Sequence, residues 1–322
     1  MRPAPLCPHT QFHVFPNSGI PHCSISYEPI VNRKQQRYKL IALDIDGTVL
    51  DSEGRVCPEL KAELETLGER DVRTVLSTGR RWRSTLPVLE ELQHAGPYVV
   101  CCGGALIKQL EGHRTLYSDP VDMETAQAAA AVYRECGLVP IFLFDRSLEQ
   151  AELFVAEQDR ARAQEVYYLQ VNKDAVQYFE GTAPDRDECL EVYTVDHRDK
   201  VRRAMGRIET AVGGSGVSRA MIQPRYGGTE LALEVHAPNA TKWTALQWLM
   251  DRWGVPAEEV LAVGDDVNDI PMLEAAGLSF AMGNASDEVK AAADSVTSSN
   301  DDHGVAEVLR QIFGEPAARK DE

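Results

Sequence analysis

The stretch LIALDIDGTVL, which runs from Leu40 to Leu50, decides how this chain folds. Its four leading apolar residues predict a strand that is buried on both faces of a parallel sheet. The strand ends in two carboxylates, and open α/β sheets bind their ligands at the carboxyl edge of the strands. Gly47 permits a tight turn that brings backbone N–H groups near an anion, and Thr48 adds a hydroxyl. The alternative is a strand that leads into an Asp-rich turn with no catalytic role. The residues that follow the other predicted strands decide between these two interpretations.

Composition limits the classes of protein that the sequence can encode. The 322 residues predict about two domains, and 43% apolar and 26% charged residues are typical of a globular protein. A net charge of −17 argues against nucleic-acid binding, and there is no apolar run near the ~18 residues of a membrane helix. Seven scattered cysteines favour a reducing cytoplasm. We therefore predict neither a nucleic-acid nor a membrane partner, while the oligomeric state stays open.

A second strand is predicted at 72–76, and it ends in Ser77-Thr78-Gly79-Arg80. Hydroxyls and a glycine between a strand and a helix suit phosphate binding, although Ser and Thr are also ordinary helix caps. Helices with leucine faces precede and follow this strand, and a third apolar run comes at 98–102. Alternating strands and helices indicate βαβ units and a parallel sheet.

The same pattern returns near the end of the chain. The apolar run 260–263 leads directly into Gly264-Asp265-Asp266-Val267-Asn268-Asp269, so a second strand brings carboxylates to the same edge of the sheet. Lys242 lies in the first turn of a helix predicted at 241–253. A cation there opposes the helix dipole, so Lys242 is either a solvated surface lysine or a phosphate ligand.

Between about Tyr117 and Glu234 the pattern changes to that of a separate α+β unit. Helices are predicted at 123–135 and 199–212, and the core alternation is expected to resume with a strand at 231–235. Apolar runs of the kind that form strands lie at 139–144, 152–155, 167–171 and 190–195.

Carboxylates that converge on one sheet edge repel one another and need a cation. Oxygen ligands from Asp44, Asp265, a backbone carbonyl near Asp46 and Asp269 favour Mg²⁺ over zinc, since no His or Cys accompanies them. A metal-free structural cluster is the alternative. A site that combines Mg²⁺, a hydroxyl, an ammonium group and backbone N–H groups is suited to phosphoryl transfer.

Each candidate residue has a role in such a site. Asp44 is the predicted nucleophile, and Asp46 would give a proton to the leaving alkoxide and later take one from water. No Walker-type phosphate loop is present, which disfavours a P-loop NTPase. The remaining candidates divide into groups that hold the phosphate (Thr78, Gly79, Lys242), groups that hold the metal together with Asp44 (Asp46, Asp265, Asp269), and groups that position Lys242 or the metal's waters (Asn268, Asp269).

Four motifs follow one another along the chain: Asp44-Ile45-Asp46-Gly47-Thr48, Ser77-Thr78-Gly79-Arg80, Lys242 and Gly264-Asp265-Asp266-Val267-Asn268-Asp269. In this order they resemble the motifs of the haloacid dehalogenase-like phosphatase superfamily. The segments Ala281-Met282-Gly283-Asn284-Ala285 and His303-Gly304-Val305-Ala306 are similar to its Cof-type branch. The resemblance implies Mg²⁺, small phosphorylated substrates and an α/β fold, with a Rossmann-like parallel-sheet core at 38–116 and 235–314. It further implies that residues 117–234 form an inserted α+β cap domain that closes over the site.

Two further functions stay open at this point. The chain could be a catalytically silent regulator that binds a phosphorylated ligand, or a phosphotransferase or mutase that passes phosphate to a second sugar. Residues 1–37 show no sustained hydrophobic periodicity, so we expect them to form a flexible extension or to precede the true start codon. Residues 315–322 form a charged tail.

Overall fold

The computed structural model describes residues 37–92, 96–184, 188–213, 217–221 and 230–314, with backbone only for 217–221. The predicted extension at 1–37, apart from Arg37, and the predicted tail at 315–322 lie outside these ranges. In chain order the elements are β1 (Leu40–Leu43), α1 (Pro58–Glu69), β2 (Arg73–Ser77), α2 (Trp82–Leu92), β3 (Tyr98–Cys101), β4 (Leu106–Gln109), β5 (Arg114–Ser118), α3 (Met123–Glu135), β6 (Ile141–Phe144), β7 (Leu153–Ala156), α4 (Arg160–Ala163), α5 (Tyr167–Val171), β8 (Val176–Phe179), β9 (Cys189–His197), α6 (Arg198–Val212), β10 (Val217–Met221), β11 (Glu230–His236), α7 (Lys242–Trp253), β12 (Val260–Gly264), α8 (Ile270–Ala275), β13 (Leu278–Ala281), α9 (Asp287–Ala292), β14 (Ser295–Val296) and α10 (Gly304–Phe313).

The first sheet has the strand order β14-β13-β12-β1-β2-β3-β4-β5. Its strands from β14 to β3 are parallel, while β4 and β5 add antiparallel pairs at one edge. The parallel strands follow the doubly wound order, so the sequence order reverses between β1 and β12. All four residues of β1 are fully buried, as expected for a central strand covered on both faces.

Strand register aligns the ends of the central strands. Leu43 of β1 pairs with Val263 of β12 on one side and with Leu76 of β2 on the other. The residues that follow these three strands therefore emerge side by side at one edge, where the chain order reverses. This edge is where such sheets bind ligands.

The second sheet has the strand order β10-β11-β9-β6-β7-β8 and is mostly antiparallel. Helices α3 and α6 cover one of its faces, where Tyr133, Val192 and Ile208 share an apolar cluster. The other face contributes Tyr193 and Ala232 to the large cluster that also contains residues of the first sheet. This α/β architecture with a second α+β layer confirms the predicted fold class. The exact domain boundaries at 116/117 and 234/235 stay a prediction.

Some predicted elements were wrong. The run Tyr167–Val171 forms the short helix α5 and no strand, because only Leu169 is buried while Tyr167 and Val171 are exposed. The strand at 231–235 does not resume the first sheet, since β11 pairs with β9 and β10 in the second. The hairpin β4–β5 was not predicted. None of the helices in the part of the chain described is both long and apolar enough to cross a membrane.

Candidate active site

The loop after β1 carries the first two candidate residues. The strand ends at Leu43 and the chain turns at Ile45, so the extended geometry does not continue to Asp46. Both Asp44 and Asp46 nevertheless line the same cavity. Gly47 follows in a left-handed conformation with φ of +77°, and a Cβ there would lie 2.2 Å from Oδ2 of Asp265. Only glycine lets the two loops approach this closely.

Lys242 lies at the centre of the site. Helix α7 begins at Lys242, and the hydroxyl of Thr241 caps it by accepting a hydrogen bond from the backbone N–H of Thr244. The Lys242 side chain is 1% exposed, and its Nζ donates to Oδ1 of Asp44 and Oδ1 of Asp269, both at 2.6 Å. The surface-lysine alternative is therefore wrong. Burial alone would lower the pKa of Lys242, but the two carboxylates raise it above its ordinary value.

Asp269 holds the lysine in place. It is fully buried, and its Oδ2 accepts hydrogen bonds from the backbone N–H groups of Asp265 and Asp266, each at 3.0 Å. Because its other oxygen binds Lys242, each carboxylate oxygen of Asp269 has a partner. Gly264 makes room for this arrangement, since a Cβ there would lie 2.5 Å from Cγ of Asp269.

Asp265 completes a cluster of three carboxylates. Asp44, Asp265 and Asp269 each place an oxygen within 4.8 Å of the others. Oδ1 of Asp265 accepts a hydrogen bond from Thr48 Oγ1 at 3.0 Å. Asn284 donates to Oδ2 of Asp265 at 3.3 Å and to the backbone carbonyl of Gly47 at 2.9 Å. The two loops are thus tied together through Asp265.

The electrostatics of this cluster call for a further cation. Burial raises the pKa of Asp265 to about 7, and the neighbouring Asp269 adds to the shift. Burial likewise raises the pKa of Asp44 well above its usual value, and the opposing effect of Lys242 does not cancel it. When all three carboxylates are ionised, the single ammonium group of Lys242 leaves an excess of negative charge in the cluster. A set of carboxylate oxygens with excess negative charge fits a hard divalent cation such as Mg²⁺.

The carboxylate of Asp46 points elsewhere. It accepts two hydrogen bonds from Arg80, at 2.6 Å from Nε and 2.5 Å from Nη2, and is not part of the three-carboxylate cluster. The Asp46 side chain therefore does not join the other acids, and a metal contact through the backbone carbonyl near Asp46 stays a prediction. Arg80 was not predicted as a site residue, although it directly follows the phosphate-binding motif.

The loop after β2 forms the next wall of the cavity. Thr78 is buried, lines the cavity, and accepts a hydrogen bond at its Oγ1 from the backbone N–H of Arg80 at 3.0 Å. Gly79 and Asn268 also line the cavity, and a Cβ at Gly79 would lie 3.7 Å from Nδ2 of Asn268. Oδ1 of Asn268 is buried without a hydrogen-bond partner among the described residues. It is therefore available to a water or a ligand group.

The cavity has a volume of about 460 Å³ and lies between the two sheets. Its floor consists of the loops just described, and its far side is formed by residues of the second sheet and of α5. Arg81, only 7% exposed, connects the two sides, because its guanidinium binds Glu152 and Asn172 and donates to the hydroxyl of Tyr168 at 3.2 Å. A volume of this size suits a small metabolite.

The sequence analysis predicted that the acids and Lys242 lie at one edge of the sheet. It missed three residues whose side chains hold this site together. Arg80 follows the Ser-Thr-Gly motif, Arg81 comes next, and Asn284 lies in the Gly-Asn turn after β13. Their proximity to motifs was the available signal. Their partners lie far away in sequence: Asn284, for example, is 237 positions from Gly47.

The α/β sheet thus brings acids and a buried lysine to its switch point, the place where such sheets bind ligands. Comparison with known proteins identifies its class. The haloacid dehalogenase-like hydrolase family matches residues 41–309, so the chain belongs to that family. This confirms the predicted superfamily, its Cof-type branch and the predicted enzyme class, a phosphatase.

Individual relatives agree with this assignment. Phosphatase YwpJ of Bacillus subtilis is 31% identical over 300 residues, which cover 85% of this chain and all of the relative. The B. subtilis 5-amino-6-(5-phospho-D-ribitylamino)uracil phosphatase YwtE is 25% identical over 295 residues, covering 85% of this chain and 98% of its own. A crystal structure of a haloacid dehalogenase-like hydrolase from Bacteroides thetaiotaomicron superimposes with a TM-score of 0.68 at 26% identity, covering 86% of this chain and 100% of that one.

Proposed function

We propose that the protein is a Mg²⁺-dependent phosphatase that hydrolyses small phosphorylated metabolites of the sugar-phosphate type through an aspartyl-phosphate on Asp44. The observation that supports this most directly is the position of Asp44. Its carboxylate opens onto the cavity, contacts the Lys242 ammonium group at 2.6 Å, and shares a cluster with Asp265 and Asp269.

Mg²⁺ would be held by Asp44, Asp265 and the backbone carbonyl of Asp46. When bound, it supplies positive charge that offsets the repulsion between the Asp44 carboxylate and a phosphate dianion. Asp269 lies in the same cluster, but both of its oxygens already accept hydrogen bonds. We therefore assign Asp269 mainly to the positioning of Lys242.

In the first step an oxygen of Asp44 attacks phosphorus, and the bond between phosphorus and the leaving oxygen breaks. In this proposal Lys242, Thr78 and the backbone N–H of Gly79 would hold the transferring phosphoryl oxygens. Asp46 gives the alkoxide its proton. For this its carboxyl group has to exchange the Arg80 contact for the leaving oxygen, and both groups line the same cavity.

In the second step water attacks phosphorus, and the bond to Asp44 breaks. Asp46 takes a proton from that water, so the site returns to its starting protonation state. The sum is one phosphate ester and one water converted to one alcohol and inorganic phosphate. Asn268 would orient that water, since the residue lines the cavity and its buried Oδ1 has no hydrogen-bond partner among the described residues.

The test is release of phosphate from a panel of phosphorylated metabolites with Mg²⁺ and with EDTA. We expect turnover that requires Mg²⁺ and is lost in Asp44→Asn. The matched control Asp251→Asn removes an exposed carboxylate on α7 and should retain the activity.

Other outcomes identify the alternatives. Turnover that survives in Asp44→Asn would contradict the nucleophile assignment. Binding without turnover would indicate a silent regulator, and transfer of phosphate to a second sugar would indicate a phosphotransferase or mutase.

A further inference from the structure

A second group of metal-binding side chains lies outside the cavity. Cys57, Glu59 and His303 each place a potential ligand atom within 4.8 Å of the other two. None of the three is among the residues that line the cavity. In a tetrahedral zinc site the ligand atoms lie about 3–4 Å apart, because each is roughly 2.0–2.3 Å from the ion. Small rotations of these side chains therefore suffice to bring a sulfur, a nitrogen and an oxygen around one ion.

The packing of two helices brings these residues together. Cys57 is the N-cap of α1, Glu59 lies in its first turn, and His303 is the N-cap of α10. At the other end of the pair, Arg70, which follows α1, donates a hydrogen bond to the backbone carbonyl of Phe313, the last residue of α10, at 2.7 Å. The two helices thus lie side by side and run in the same direction. Their first turns meet, although they are far apart in the sequence.

His303 has a backbone conformation that is uncommon for a residue with a side chain. Its φ is +62°, in the left-handed region that glycine adopts freely and histidine tolerates better than most residues. The turn around it is closed by backbone hydrogen bonds from His303 to Asn300 at 3.3 Å and from Gly304 to Ser299 at 3.0 Å. Residues in such conformations cluster at sites that bind ligands. The proposed phosphatase chemistry makes no use of this histidine.

The donor atoms determine which ion fits. The Cys57 thiol donates a hydrogen bond to Oε2 of Glu59 at 3.2 Å, so these two groups already converge. A bound ion would take the place of the thiol proton, which passes to solvent. Thiolate, imidazole and carboxylate are all ligands of zinc, whereas Mg²⁺ and Ca²⁺ prefer oxygen donors alone. Glu59 and His303 are exposed, which leaves space for a water molecule as the fourth ligand.

We propose that Cys57, Glu59 and His303 form a Zn²⁺ site, which is separate from the carboxylate cluster and does not depend on the phosphatase function. The ion would link the start of α1 to the turn before α10. This region also holds the chain that leaves the loop after β1, since Nδ2 of Asn300 donates to the backbone carbonyl of Leu50 at 2.9 Å. Zinc would therefore stabilise the folded protein, because the unfolded chain does not hold the three ligands together.

The experiment uses Co²⁺ as a spectroscopic substitute for Zn²⁺, because a bond between cobalt and a thiolate absorbs in the near ultraviolet. Co²⁺ is titrated into the full chain in excess Mg²⁺, which occupies the carboxylate cluster. We expect a thiolate band that Zn²⁺ abolishes, of which one equivalent of Co²⁺ per chain disappears in Cys57→Ser. His303→Asn should weaken binding at least ~10-fold, because a ligand is removed. The matched control Cys136→Ser removes a partly exposed cysteine elsewhere and should keep the wild-type band.

Both test variants are chosen to preserve the fold. Serine is a preferred N-cap residue, and asparagine adopts the left-handed conformation readily. Thermal unfolding is the second readout: Zn²⁺ at ~100 times its Kd should raise the melting temperature of wild type and Cys136→Ser by about 5–10 °C more than that of Cys57→Ser. The proposal is overturned if wild type shows no thiolate band, or if either test variant binds Co²⁺ as wild type does. If Cys57→Ser fails to fold, His303→Asn carries the test alone.

Discussion

Replacing Lys242 with methionine tests how the charges of the site are balanced. Lys242 is 1% exposed and contacts Asp44 and Asp269 at 2.6 Å each, so Lys242→Met leaves two buried carboxylates without their cation. Removing one partner of a buried ion pair typically costs about 3–5 kcal/mol. At roughly 2–4 °C per kcal/mol, the melting temperature should fall by roughly 6–20 °C.

The assay is thermal unfolding in EDTA and in Mg²⁺, with Lys200→Met as the control. Lys200 makes a 2.9 Å ion pair with Asp196 at the surface, and such exposed pairs contribute about 0–1 kcal/mol. The loss in Lys242→Met should shrink when Mg²⁺ replaces the missing charge, and also at low pH, where the carboxylates take up protons. Activity should fall by about 10²–10³-fold because the transferring phosphoryl group loses a cation.

A Lys242→Met protein as stable in EDTA as Lys200→Met would refute this reasoning. The same conclusion would follow if Mg²⁺ and low pH left the difference between the two variants unchanged. In either case the buried carboxylates would not depend on Lys242 for their stability.

Three further results are expected. Gly47→Ala should weaken Mg²⁺ binding at least ~10-fold by calorimetry, because the new Cβ displaces the Asp265 carboxylate. The control is Gly112→Ala, which has a similar positive φ but no atom nearer than 3.7 Å to the new Cβ. It should leave Mg²⁺ binding unchanged. In EDTA, the urea concentration at the unfolding midpoint should fall as pH rises from about 4 to about 7. Folding raises the pKa of Asp265 to about 7, so in this range the folded state holds a proton that the unfolded state has lost. A flat profile, or one unchanged in Asp265→Asn, would contradict this. Cys101 and Cys102 should resist iodoacetamide by mass spectrometry until the protein is unfolded in urea, because both are buried and burial raises the pKa of each thiol; rapid labelling of the folded protein would show that this run is accessible.

The central part of the fold could be predicted because its signals are local. The strands at 40–43 and 260–264 are continuous apolar runs that end abruptly in acids, and a parallel sheet aligns such ends automatically. Helix α7 likewise has a cap, an amphipathic face and a terminal glycine. From these features alone Asp44, Asp265 and Lys242 could be assigned to one edge. In the structure Lys242 contacts Asp44, and an oxygen of Asp265 lies within 4.8 Å of one of Asp44.

What sequence reasoning missed depends on distant partners. The strand at 230–236 reads like a core strand, yet it pairs with 189–197 because the second sheet needs a neighbour there. The short run Tyr167–Val171 has a strand-like composition but becomes a helix, since tertiary packing buries only Leu169. Glu191 and Glu234, which line the cavity from the second sheet, gave no signal either, because an acid inside a strand usually marks a solvated face. Only the register of the two strands shows that Glu191 and Glu234 meet.

Arg81 also has a kinetic consequence. It follows directly after the loop that carries Thr78, and its guanidinium binds three residues of the second layer. Separating the layers would strip a buried guanidinium of Glu152, Asn172 and Tyr168 at once, so opening is expected to be an infrequent, concerted event. We therefore expect departure of the product, rather than bond breaking, to set the rate at which each molecule completes a cycle.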